Sequence, residues 1–152
     1  MNDDPYAVSF VDTNILVYAF AENDSARSPA ARGLVRDLME SRTLCTSTQV
    51  LQELFVVATR TNRRLLTAEQ ALRYLDEIAN FPVFTIDYSA VRQAAELCQS
   101  AKLSFWDALL VVAAARSKAR YLYTEDLQHR QSILGVEIVN PFRAVGTTGP
   151  SL

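Results

Sequence analysis

Apolar residues along the chain fall into two kinds of cluster that alternate: short unbroken runs, and longer stretches in which they recur every three or four positions. The run at 6–11 (Tyr-Ala-Val-Ser-Phe-Val) is rich in aromatic and β-branched residues and stops at Asp12, which predicts a buried strand. Helical spacing follows at 13–20 and again at 28–41, where Pro29 sits near the start and Ala31, Leu34, Val35 and Leu38 share a face. A second strand is predicted at 43–46. Helix 48–61 carries the stripe Val50, Leu51, Leu54, Val57 and Ala58, and helix 67–79 carries Ala71, Leu72, Leu75 and Ile78. Pro82 opens a strand at 83–86, helices are predicted at 89–101 and 104–117, and strands at 121–124 and 136–139, with Pro141 ending the last. Short apolar strands alternating with helices predict an α/β fold: a mostly parallel central sheet of four to five strands, flanked by helices on both faces. In such sheets ligands bind beyond the carboxyl ends of the strands.

Length and composition narrow the picture. The chain has 152 residues, 49% of them hydrophobic, enough for one domain with a sizeable core, taken here as residues 1–145; the tail 146–152 (Gly-Thr-Thr-Gly-Pro-Ser-Leu) reads as disordered. No stretch approaches the roughly 18 apolar residues of a membrane helix, and the Met-Asn-Asp-Asp-Pro start is acidic where a secretory signal is basic, so a soluble cytoplasmic protein is expected. Cys45 and Cys98 lie outside any Cys-x-x-Cys spacing and read as buried free thiols. The net charge of -2 gives no global field toward nucleic acid, so such binding must be local. All basic residues except Lys102 and Lys118 are arginine, which suits forked recognition of phosphate and leaves few candidate catalytic amines.

The carboxyl edge is therefore where acidic residues carry the most weight. Asp12 follows the first strand and is followed by Thr13 and Asn14; a helix N-cap is the alternative role. Asp107 opens a helix that is apolar nearly all round (108–115), where an unpaired carboxylate needs a cation, donors or a proton; Ser104 with Asp107 also resembles a capping box. Glu53 lies mid-helix on the flank of the Val50/Leu54/Val57 stripe, where pairing with Arg60 or Arg64 is the ordinary explanation. Asp126 follows the strand at 121–124, beside Glu125, with a turn or capping role as its alternative. Converging carboxylates repel unless a cation holds them, and hard oxygen donors without clustered His or Cys select Mg²⁺ or Mn²⁺. Such ions support phosphodiester hydrolysis by metal-activated water.

Four segments then resemble one family: Phe10-Val11-Asp12-Thr13-Asn14, Thr48-Gln49-Val50-Leu51-Gln52-Glu53, Leu103-Ser104-Phe105-Trp106-Asp107-Ala108-Leu109, and Thr124-Glu125-Asp126-Leu127-Gln128-His129. They resemble the PIN-domain nucleases, especially VapC-like toxins, and the closing stretch 135–142 is similar to the end of that domain. The resemblance spans 8–142 in order. It implies a PIN-like parallel sheet, site acids at Asp12, Glu53, Asp107 and Asp126 with Asn14 and Thr124 in support, and one or two Mg²⁺ or Mn²⁺ ions. It further implies endonucleolytic RNA cleavage, homodimerisation and a cognate antitoxin. Where the family usually reads His-Gly-Gln, this chain has His129-Arg130-Gln131, which questions the geometry of a loop that a glycine would serve.

Other features weigh less. His129, the sole histidine, reads as structural or surface more than as a general base. Arg60, Arg63 and Arg64 form the densest basic segment, read equally as a solvated helix end or an RNA-backbone contact. Trp106 is expected in the core. Two rival functions remain: phosphoryl transfer with Asp12 as nucleophile, and a non-catalytic module binding RNA or protein. Against the first, Asn14 stands where a second Asp is wanted and neither lysine follows a strand; against the second, all four acids are present.

Overall fold

The computed structural model describes residues 4–21, 26–60, 62 and 64–143. The elements run β1 (Ser9–Val11), α1 (Thr13–Phe20), α2 (Arg27–Glu40), β2 (Leu44–Ser47), α3 (Thr48–Thr59), α4 (Ala68–Ile78), β3 (Val83–Phe84), α5 (Tyr88–Ala101), α6 (Phe105–Arg116), β4 (Tyr121–Tyr123), β5 (Ser132–Ile133) and β6 (Val136–Val139). The strands form one sheet in the order β3-β2-β1-β4-β6-β5, parallel throughout except for β5 against β6. β1 is central, with Ser9 opposite Leu44 on one side and Tyr121 on the other. From β1 the chain first builds outward through β2 and β3, then returns to β4 and builds the other half. The boundary between β1 and β4 is therefore the switch point where such sheets form their sites.

The strands are short and buried, and three of them end at buried polar residues that side-chain hydrogen bonds satisfy: Phe10, Val11, Leu44 and Leu122 are almost wholly buried, and Asp12, Ser47 and Thr124, buried as well, follow or close the strands. Helices α1 to α4 pack in succession, α1 on α2 and α3, and α3 on α4, while α5 packs on α6. α6 has every residue from Ala108 to Ala114 buried, as its all-round apolar sequence requires. Among the described residues no single helix is long and apolar enough to cross a membrane.

The expected helices all form, within a residue or two at their ends; Thr61, the expected end of the third long helix, lies outside the described residues, as does the tail 146–152. β1, β3 and β4 are shorter than expected, β2 is shifted by one residue and β6 keeps its expected bounds, and the sheet has six strands in place of four to five. The addition is β5, which pairs with β6 through a two-residue turn, Leu134-Gly135, both at positive φ. Trp106 is not in the core: it is 63% exposed, because it sits on the first turn of α6, ahead of the buried run. Cys45 is a buried free thiol as expected, whereas Cys98 is only half-buried.

Candidate functional site

β1 delivers Asp12 to the switch point, and Asp12 is both the N-cap of α1 and a buried carboxylate, 5% exposed. One of its oxygens accepts the Thr13 N–H at 2.6 Å and the other accepts the Thr124 hydroxyl at 2.8 Å. Main-chain bonds stitch the same strand ends: the Asp12 N–H donates to the Tyr123 carbonyl at 3.0 Å, and the Thr124 N–H to the Val139 carbonyl at 3.1 Å. Thr124 Oγ1 also accepts the Asp126 N–H at 3.1 Å, which fixes the turn that presents Asp126. The Asp126 carboxylate in turn accepts from the Asn14 amide at 3.0 Å. Glu53 reaches the same place from α3, accepting from the Thr13 hydroxyl at 3.0 Å and from the Gln49 amide at 3.2 Å. The resulting pocket, about 290 Å³, is lined by Asp12, Thr13, Asn14, Val17, Tyr18, Glu53, Val57 and Asp126.

Burial pushes the Asp12 carboxyl up to about 7; its bonds from Thr124 and Thr13 oppose the rise, and the charges of Asp126 and Glu53 add to it. Asp126 is raised as well, first by desolvation, then by the charges of Glu125 and Asp107. Asp107 departs from expectation: it does not line this pocket, and it is half-buried. Its place in the first turn of α6, where its N–H donates to Ser104 Oγ at 3.0 Å, keeps it at the helix mouth and out of the apolar interior. It acts on the site through its charge on Asp126.

The neighbours of these acids separate cleanly. Glu125 accepts from the Tyr18 hydroxyl at 3.0 Å and pairs with Arg27 at 3.3 Å, so it is held away from the role considered for Asp126. His129 Nδ1 accepts the Asn140 N–H at 3.0 Å, and desolvation with nearby Arg130 and Arg143 lowers its pKa; it is a structural acceptor outside the pocket. Arg130 adopts φ 70°, so the loop keeps the backbone that a glycine would favour, and its guanidinium pairs with Glu137 at 2.6 Å. Arg60 and Arg64 are exposed, and Arg63 lies outside the described residues. Sequence reasoning missed Thr13 and Gln49. Both were legible as partners, Thr13 by adjacency to Asp12 and Gln49 by its i,i+4 spacing to Glu53 on one helix face.

Among the described residues, no three His, Cys, Asp or Glu side chains converge closely enough to hold an ion as they stand. The acids are gathered, but each turns an oxygen toward a hydroxyl or amide. The donor set nevertheless fits a hard divalent cation. It is all oxygen, the charges of Asp126 and Glu53 raise Asp12, and Asn14 Oδ1 is a buried acceptor with no hydrogen-bond donor.

The PIN domain family model matches residues 9–132 of this chain. Among solved structures, the chain is similar to a toxin–antitoxin complex from Klebsiella pneumoniae (TM-score 0.64, 23% identity, covering 88% of this chain and 97% of that one). It is also similar to VapC20 of Mycobacterium tuberculosis, a sarcin-ricin loop cleaving toxin (TM-score 0.60, 21% identity, 78% and 89%). A third likeness is to VapBC2 of Rickettsia felis, solved bound to a DNA fragment from its promoter (TM-score 0.61, 19% identity, 86% and 96%). At these identities the likeness is one of fold. No curated protein matches the sequence.

Proposed function

The chain belongs to the PIN-domain family, and from that premise we propose that it is a metal-dependent endoribonuclease, the toxin of a toxin–antitoxin pair. The observation that carries this reading is the meeting of Asp12, Glu53 and Asp126 in one pocket at the sheet's switch point, with an unsatisfied Asn14 oxygen among them. Asp12, Asp126 and Glu53 would hold a divalent cation, with Asn14 Oδ1 available to it and Asp107 adding negative charge from the mouth of α6. Mg²⁺ and Mn²⁺ suit these donors. Bound there, such an ion offsets the repulsion between acids, polarises the phosphodiester and makes water a stronger nucleophile at neutral pH.

The chain's own residues do the positioning. Thr13 N–H and Thr124 hydroxyl lock the Asp12 carboxylate, so it does not have to reorganise as substrate arrives. Thr13 hydroxyl and Gln49 orient Glu53, and Asn14 orients Asp126. The rival in which Asp12 attacks phosphorus itself gains nothing from this geometry, since Asn14 stands where a second Asp is wanted and no lysine is among the residues lining the pocket. The resemblance to toxin–antitoxin assemblies supports an antitoxin partner; a homodimer and a cytoplasmic setting are part of the same proposal and rest on the sequence motifs alone. The test is cleavage of RNA by purified, antitoxin-free protein in Mg²⁺ or Mn²⁺. Wild type should cut, EDTA should stop it, and Asp12→Asn should lose at least a hundredfold in rate, the usual scale for removing a group that stabilises developing charge. Equal cutting by Asp12→Asn and wild type would refute the proposal.

A further inference from the structure

A second groove lies beside one of the same acids, Glu53. It is about 330 Å³ and is lined by Gln52, Glu53, Val56, Val57 and Arg60 along one side of α3. Glu53 and Val57 line both cavities, so the groove adjoins the acid pocket. Its floor is apolar: Val56 is 59% exposed, unusual for a valine on a helix whose opposite face is core. Its far end is cationic. Arg60 is the C-cap of α3, and among the described residues no carboxylate forms an ion pair with it. Glu53 and Arg60 are seven residues apart, which on a helix means the same face and a rise of about 10 Å.

This arrangement has a direction. A strand whose scissile phosphate lies at the acids meets negative charge there, and the protein as a whole carries -2, so attraction for the backbone must come from a cation placed further along. The groove offers an apolar surface next to the acids, then a guanidinium. That order matches a nucleoside followed by its phosphate. We propose that the groove from Glu53 to Arg60 is the subsite for the nucleotide that flanks the scissile phosphate, with Val56 and Val57 against its base or ribose and Arg60 on the next phosphate. The proposal rests on the ribonuclease reading and adds to it where the substrate strand runs. A single cation and an apolar floor hold a nucleotide without reading its bases, so the subsite gives affinity and polarity, not sequence choice.

The test is binding of a short, non-cleavable 2′-O-methyl oligoribonucleotide, followed by fluorescence anisotropy across a salt series in Mg²⁺. Arg60→Gln should bind roughly tenfold more weakly at low salt, and its log affinity against log salt should be shallower by about 0.7, the contribution of one phosphate on a single strand. Val56→Ala should weaken binding roughly threefold with no change of slope, since it touches no phosphate. Arg92→Gln, on α5 outside the groove, should match wild type in both. All three side chains are exposed, so near-ultraviolet circular dichroism should show unaltered packing. An Arg60→Gln slope equal to that of Arg92→Gln overturns the subsite. Failure of wild type to bind the oligonucleotide overturns it too. Cleavage is read separately: a wild type that cuts RNA while the Arg60→Gln slope stays unchanged sinks the subsite alone, and a shallower slope in a protein that does not cut sinks the nuclease alone.

Discussion

Asp12 carries opposite demands: it caps α1, which a carboxylate does well, and it is buried among other acids, which favours the protonated form. Folded, it holds its proton up to about 7; unfolded, it releases it near 3.8. Between those values the unfolded state binds fewer protons, so Asp12 contributes stability below about pH 4, and that contribution is lost as pH rises toward 7. At about 1.4 kcal/mol per unit, the ceiling on the effect is on the order of 4 kcal/mol. Asp12→Asn keeps an N-cap oxygen and can still bond Thr124. In EDTA it should therefore be more stable than wild type at pH 8, with the gap closing toward pH 4; urea unfolding at several pH values decides, and parallel curves would contradict the assignment. Sequence pattern pointed to Asp107 for this behaviour, because its helix is apolar all round. Pattern reveals the company a residue keeps, but not its depth along the axis, and Asp107 and Trp106 both sit on the open first turn. Asp12 at a strand's carboxyl end was legible because topology alone fixes that position.

The elements themselves were legible wherever periodicity ran for two or more turns, as in α3 and α4, and failed where the signal is a single glycine. This chain uses few of them. Among the described residues, Arg42, Lys102, Lys118, Arg130 and Leu134 all adopt positive φ, against one glycine, Gly135. The β5–β6 turn needs positive φ at both central positions, and Leu134 occupies the one where a glycine or asparagine would have announced a hairpin. Arg130 is the same case in the loop before β5, held by its N–H to the Ile138 carbonyl at 2.8 Å and by Glu137. Arg130→Gly removes a left-handed penalty of about 1–2 kcal/mol, but it also gives up a half-exposed ion pair worth up to about 1 kcal/mol and adds backbone entropy to the unfolded chain. Its stability should fall within about 1 kcal/mol of wild type. Arg130→Val, β-branched at the same φ, should lose about 2 kcal/mol or more. Thermal unfolding of the pair separates them, and equal losses would mean the ion pair, not the backbone, holds the loop.

At the scale of the molecule, the order of strands brings Asp12 and Asp126 from opposite halves of the sheet to one boundary, and folding therefore assembles the charge that opposes it. The mostly parallel α/β architecture was legible from alternating runs; the strand order and the assembly were not, because sequence does not say that Glu53 reaches Thr13 or that Thr124 joins the two strand ends. It follows that an ion which binds the gathered acids binds the folded state alone and must raise its stability by mass action. At a hundredfold excess over its dissociation constant the gain is about 2.7 kcal/mol, which for a domain of this size corresponds to roughly 5–10 °C in melting temperature. Mn²⁺ or Mg²⁺ should thus raise the wild-type melting temperature in a saturable way, and Asp12→Asn should start higher in EDTA and gain little. General screening is the competing cause, but a net charge of -2 leaves little repulsion to screen. Sodium chloride at matched ionic strength should therefore give only a small, unsaturating shift. An equal response to sodium, or an undiminished response to Mn²⁺ in Asp12→Asn, would separate the gathered acids from any ion-binding role and leave their repulsion as a cost of the fold.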